Sequence, residues 1–141
     1  MTGFSFEFIP KSTNAPESIA QFKPYIGTED QLQMVVASYL DFSNAFWTHP
    51  PNGGKRNIIV ATKLKKMGVK PGIPDVLIFD QKNGYSGFAI ELKVGKNKPS
   101  LYQIQCLKAL HDRNWLILVS NSLDEVIYWI DWYFNEKKLA K

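Results

Sequence analysis

Residues 72–79, Gly-Ile-Pro-Asp-Val-Leu-Ile-Phe, and residues 88–94, Phe-Ala-Ile-Glu-Leu-Lys-Val, are two short apolar runs separated by a polar, glycine-containing stretch. Runs of this length bounded by turn residues read as neighbouring β-strands. Side chains alternate across a strand, so Glu91 and Lys93 share one face while Ile90, Leu92 and Val94 point to the other, into a core. An acid and a lysine on an apolar strand are costly to bury without partners. Asp75, at the entry to the first strand and 16 residues before Glu91, can supply a second carboxylate.

The register of this hairpin decides whether the two acids meet. A two-residue Asn83-Gly84 turn continued without interruption sets Asp75 opposite Leu92, with Glu91 on the other face. A three-residue loop of Lys82, Asn83 and Gly84, or an equivalent bulge, sets Asp75 opposite Glu91 on one face. A shared carboxylate site therefore requires one extra residue in the hairpin.

Working outward, Thr28 and Gln31 form a capping-box pattern for a helix whose Leu32, Val35, Val36, Tyr39 and Leu40 lie on one face. A short strand then runs into the His49-Pro-Pro-Asn-Gly-Gly-Lys-Arg56 segment, followed by a helix over 57–67 that Gly68 stops. Pro99 is placed to open a third helix with a stripe of Leu101, Ile104, Leu107 and Leu110. Residues 115–119 are a strand covered on both faces, and Ser122 caps a last helix running to about Lys138. The expected order is helix, strand, helix, two strands, helix, strand, helix. That is an α/β domain over residues 28–141, a central sheet flanked by helices, preceded by an extension over residues 1–27.

Composition narrows the function classes. The chain has 141 residues, 45% of them hydrophobic, which suits one domain with a real core. No apolar run approaches the roughly 20 residues needed to span a bilayer, and the start lacks a secretory pattern, so an intracellular, cytoplasmic protein (host cytoplasm if viral) is expected. A single cysteine, Cys106, excludes an intrachain disulfide and a cysteine-rich zinc site, and we read it as packing filler rather than a nucleophile. Between Lys55 and Lys108 there are 11 Lys and Arg against three acids, a net +8 in a chain whose total is +4. A basic middle third fits a polyanionic partner, nucleic acid above all, although a solvated surface explains the charge equally well.

Two carboxylates at close range repel unless a cation lies between them, and oxygen ligands suit Mg²⁺ or Mn²⁺. Such an ion polarises phosphoryl oxygens, and a nearby lysine offsets charge developing on a phosphate. The competing reading of the same residues is a surface ion pair between Lys93 and one acid.

The pieces in order are Glu29-x-x-x-Gln33, the segment 49–56, Gly72-Ile73-Pro74-Asp75, Ala89-Ile90-Glu91-Leu92-Lys93 and Ser100-x-x-Gln103. Over about 100 residues, from Glu29 to Ile130, this series resembles the VRR-Nuc domain, a branch of the PD-(D/E)xK nuclease superfamily. The resemblance implies a restriction endonuclease-like fold and Mg²⁺- or Mn²⁺-dependent hydrolysis of DNA phosphodiesters. It implies Asp75, Glu91 and the Leu92 carbonyl as metal ligands, Lys93 as the catalytic lysine, and Glu29 and Gln103 as further active-site residues. Asn52, Gly53, Gly54, Lys55, Arg56, Lys96 and Lys98 are the expected DNA contacts. Minimal chains of this type resemble viral or phage junction-resolving enzymes, so a homodimer acting on branched DNA, Holliday junctions included, is expected. A site-specific restriction or homing nuclease and a catalytically silent DNA-binding module are the alternatives. The chain departs from the family pattern at His-Asp-Arg-Asn, 111–114, where a glycine is usual near the turn.

Overall fold

The computed structural model describes residues 27–51 and 57–135. Its elements are α1 (Glu29–Phe42), β1 (Trp47–Thr48), α2 (Ile58–Lys66), β2 (Val76–Ile78), β3 (Gly87–Leu92), α3 (Leu101–His111), β4 (Trp115–Ser120) and α4 (Leu123–Phe134). This is the order expected from the sequence. The sheet runs β1-β2-β3-β4, with β1, β2 and β3 antiparallel in succession and β4 parallel to β3. The parallel step needs a crossover, and α3 provides it.

The helices lie on both sides of the sheet. Tyr133 of α4 packs on Phe88, while Gln103 of α3 reaches Glu91, and these two β3 residues point to opposite faces because they are an odd number apart. α1 packs against α4 and β3, so α1 and α4 form one layer and α3 lies on the far side. Covered on both faces, every residue of β3 is buried. Leu32, Val36 and Leu40 of α1 are buried at the spacing the sequence predicts, against Phe88, Ile90 and Leu92 and the α4 residues Val126, Ile130 and Tyr133 in one cluster.

The hairpin between β2 and β3 resolves the question of register. Its tip is the two-residue turn, with Asn83 and Gly84 both at positive φ (52° and 80°) and Lys82 facing Tyr85. Yet Val76 faces Ile90 and Ile78 faces Phe88, which continued one step sets Asp75 opposite Glu91. Three residues, Phe79, Asp80 and Gln81, therefore oppose two, Ser86 and Gly87. The extra residue lies beside the tip, in a bulge-like offset on the β2 side, rather than in the loop.

Two local expectations, both for α3, are corrected. Ser100, not Pro99, caps α3: its side chain accepts from the Gln103 N–H, and Pro99 lies outside the helix. The α3 stripe is narrower than its spacing suggests, with Leu107 buried but Leu101 68% exposed. α2 buries none of its residues, and Ile58 and Ile59 are 81% and 79% exposed. In the turn at 111–114, Asn114 takes the left-handed conformation at φ 68°, which asparagine tolerates better than most residues. The extension over 1–27 falls outside the described residues except for Gly27. The last helix, expected to reach about Lys138, instead ends at Phe134, with Asn135 as its cap.

Candidate active site

Asp75, Glu91, Lys93 and Gln103 come together where β2 begins and β3 ends. Asp75 is held by its carboxylate: Oδ2 accepts the Leu92 backbone N–H at 2.8 Å. Gly72, three residues earlier, is at φ +84° against the start of α3, where a Cβ would lie 2.4 Å from the Tyr102 carbonyl oxygen. Only glycine satisfies both demands, and its fit brings the approach to Asp75 against the helix that carries Gln103.

Glu91 is 1% exposed. Its Oε2 accepts from Gln103 Nε2 at 2.9 Å and lies 3.5 Å from Lys93 Nζ, whose side chain is 12% exposed. Its Oε1 is buried with no hydrogen-bond partner. Burial, and next the neighbouring Asp75 carboxylate, push the Glu91 carboxyl up to about 8; Lys93 works in the opposite direction and does not prevail. With both acids ionised nothing bridges them, whereas a proton kept on Glu91 gives the pair a donor. The Lys93 backbone is anchored too, its N–H bonded to the Ser120 carbonyl at 2.9 Å.

Gln103 carries two duties. Its Oε1 accepts the Ser100 N–H at 2.7 Å, closing a capping box, while its Nε2 serves Glu91. The Ser-x-x-Gln pattern was the signal for this cap in the sequence. Cys106, one turn further along α3, has its thiol pushed up by burial and then by the Glu91 charge, which favours the thiol over a reactive thiolate.

A divalent cation fits this arrangement. Among the described residues no three His, Cys, Asp or Glu side chains converge, so a cation here would rest on two carboxylates and neutral oxygens. The orphaned Glu91 Oε1 and the repulsion between the two acids are the features such an ion would relieve. Asp75, Glu91 and the Leu92 carbonyl are the groups available to it. Glu29, half-buried in the first turn of α1, is not brought into this acidic pair. Gln33, one turn on, has a buried Oε1 without a partner. Lys96 and Lys98 are exposed in the loop leaving β3, whereas Asn52, Gly53, Gly54, Lys55 and Arg56 lie outside the described residues. Among the described residues no helix is long and apolar enough to cross a membrane.

No family model and no curated protein matches the chain. Among solved structures, a "VRR_NUC domain protein" superposes with a TM-score of 0.65 and 28% sequence identity, covering 77% of this chain and 89% of the other. The mixed sheet flanked by helices is accordingly the restriction endonuclease-like arrangement expected from the motifs. In fold and in sequence, this chain is similar to a VRR_NUC domain protein.

Proposed function

We propose that this chain is a Mg²⁺- or Mn²⁺-dependent endodeoxyribonuclease that cleaves phosphodiester bonds in branched DNA as a homodimer, with residues 28–141 as its nuclease domain and 1–27 as an extension. Its setting is the cytoplasm, or the host cytoplasm if the chain is viral. The observation that carries the reading is Glu91, a buried acid with an orphaned oxygen, paired with Asp75 and flanked by Lys93. A purely structural ion pair has no use for the second carboxylate, which weakens the pair. The likeness to a VRR_NUC domain protein supports the same conclusion.

Asp75, Glu91 and the Leu92 carbonyl would hold the cation, which when bound would supply polarisation of a phosphoryl oxygen and acidification of water. Gln103 orients the Glu91 carboxylate by donating to Oε2, and Oε1 stays without a protein donor. Lys93, beside Glu91, would orient the attacking water and offset charge that develops on the phosphate. Lys96 and Lys98, and the basic segment 52–56 by its composition, would contact the DNA backbone.

The test is a cleavage panel of four-way junction, flap, plain duplex and single strand, with Mg²⁺, Mn²⁺ or EDTA. We expect the four-way junction to be cut fastest, EDTA to abolish cutting, and Asp75→Asn to abolish it while DNA binding is retained. Cleavage that survives EDTA would overturn the cation's role. Cutting of plain duplex at one sequence would identify a restriction or homing nuclease, and DNA binding with no cleavage under any condition a silent binding module.

A further inference from the structure

His49 follows the two-residue edge strand β1 and precedes two prolines. β1 and β2 are antiparallel, with Trp47 facing Ile78 and Thr48 facing Leu77; continued, the register sets Pro50 opposite Asp75. The Phe79 N–H donates to the Phe46 carbonyl at 2.8 Å, so Phe46 and Phe79 are a pair at a hydrogen-bonded position of this ladder, the Phe46 N–H turning to the Asp80 carboxylate. Such pairs recur at every second residue of an antiparallel ladder, which makes Pro50 and Asp75 one of them. The Asp75 carbonyl should there receive the N–H of residue 50, and proline has none. Instead it lies 2.6 Å from Nδ1 of the His49 ring. A carbonyl oxygen only accepts, so Nδ1 carries the hydrogen.

Asp75 is thus held at two points, its carboxylate by the Leu92 N–H and its carbonyl by His49. We propose that His49 is a positioning residue for Asp75, its ring N–H replacing the ladder bond that Pro50 lacks, so that the carboxylate is aimed before a divalent cation arrives. This rests on the reading of Asp75 and Glu91 as cation ligands. The His49 side chain is exposed, so burial contributes little to holding it and the hydrogen bond sets its place. Its loss should therefore loosen Asp75 far more than it destabilises the fold, as partners of metal ligands commonly do.

Asparagine and glutamine separate the two ring positions, since an Asn amide N–H occupies the place of Nδ1 and a Gln amide that of Nε2. Mn²⁺ binding to the full-length protein, read by EPR of the free aqueous ion, should weaken about tenfold in His49→Gln and stay within about threefold of wild type in His49→Asn. Both variants should melt close to wild type. Unchanged Mn²⁺ affinity in His49→Gln, or equal losses in both variants, would overturn the role of His49. The Asp75→Asn variant separates this from failure of the site itself. Should it bind Mn²⁺ as wild type does, or should neither bind, both readings fall; if it loses Mn²⁺ while His49→Gln does not, only the positioning role falls.

Discussion

Gln103 joins Glu91 to the N-terminus of α3: one amide group donates to the Glu91 carboxylate at 2.9 Å and accepts from the Ser100 backbone at 2.7 Å. The orientation of a buried acid is thereby tied to the start of a helix, and the two functions can be separated by mutation.

Ser100→Ala removes the cap alone and should cost about 1 kcal/mol in urea denaturation. Gln103→Ala removes the other half of the cap and also strips Glu91 of its donor. Its cost should reach about 2–3 kcal/mol, since a buried group left without its partner is expensive. Equal losses in the two variants would mean that the bond to Glu91 contributes nothing to stability.

The protonation of Glu91 gives the metal-free protein a stability that depends on pH. Folded Glu91 keeps its proton to about 8, while the unfolded chain releases it in the ordinary carboxylate range. Between these limits the folded state carries the extra proton, so this contribution is full at low pH and is lost as pH rises through the window. In EDTA, the melting temperature should therefore fall between pH 6 and pH 9, and Glu91→Gln should flatten the fall. At pH 8.5 the glutamine variant should melt about 3 °C or more above wild type, the equivalent of about 1 kcal/mol. Parallel melting curves for the two proteins across this range would contradict the buried-acid reading.

Lys93 separates chemistry from packing. Its ammonium is 3.5 Å from Glu91, close enough to act either as a counter-ion or on a phosphate. Lys93→Ala should lower the single-turnover cleavage rate by about 10²–10³-fold with DNA affinity little changed. Lys93→Arg should not restore it, because a planar guanidinium does not replace a compact ammonium in a tight site. Melting temperature measured on the same preparation shows whether the alanine variant instead failed as a fold.

Much of this arrangement was legible in the chain itself, because strand alternation and helix caps are local. Glu91 and Lys93 on one face, the box at Thr28 and the Gly68 stop all follow from spacings of a few residues, whereas the sequence reading starts α3 at Pro99 rather than at its cap, Ser100. The hairpin offset was not legible, because its cause is distant. The Tyr133 hydroxyl, on α4, donates to the Asp80 carbonyl at 2.6 Å and accepts the Lys82 N–H at 3.3 Å, so the chain bends around a residue 51 positions away. The part of His49 was hidden in the same way: two prolines announce the end of a strand, but only the pairing with β2 reveals which carbonyl loses its donor. The exposure of Leu101 and of α2 depends on tertiary packing, which helical periodicity does not encode.

The three-against-two step beside the hairpin tip makes the meeting of Asp75 and Glu91 a question of parity. A pleated strand counts in twos, so a single residue gained or lost between Ile78 and Gly87 sends one acid to the opposite side of the sheet, while a change of two leaves both where they were. Length variation in this loop is therefore not graded in its effect. An odd change has to be taken up by the loop or by a second bulge if the two carboxylates are to stay together.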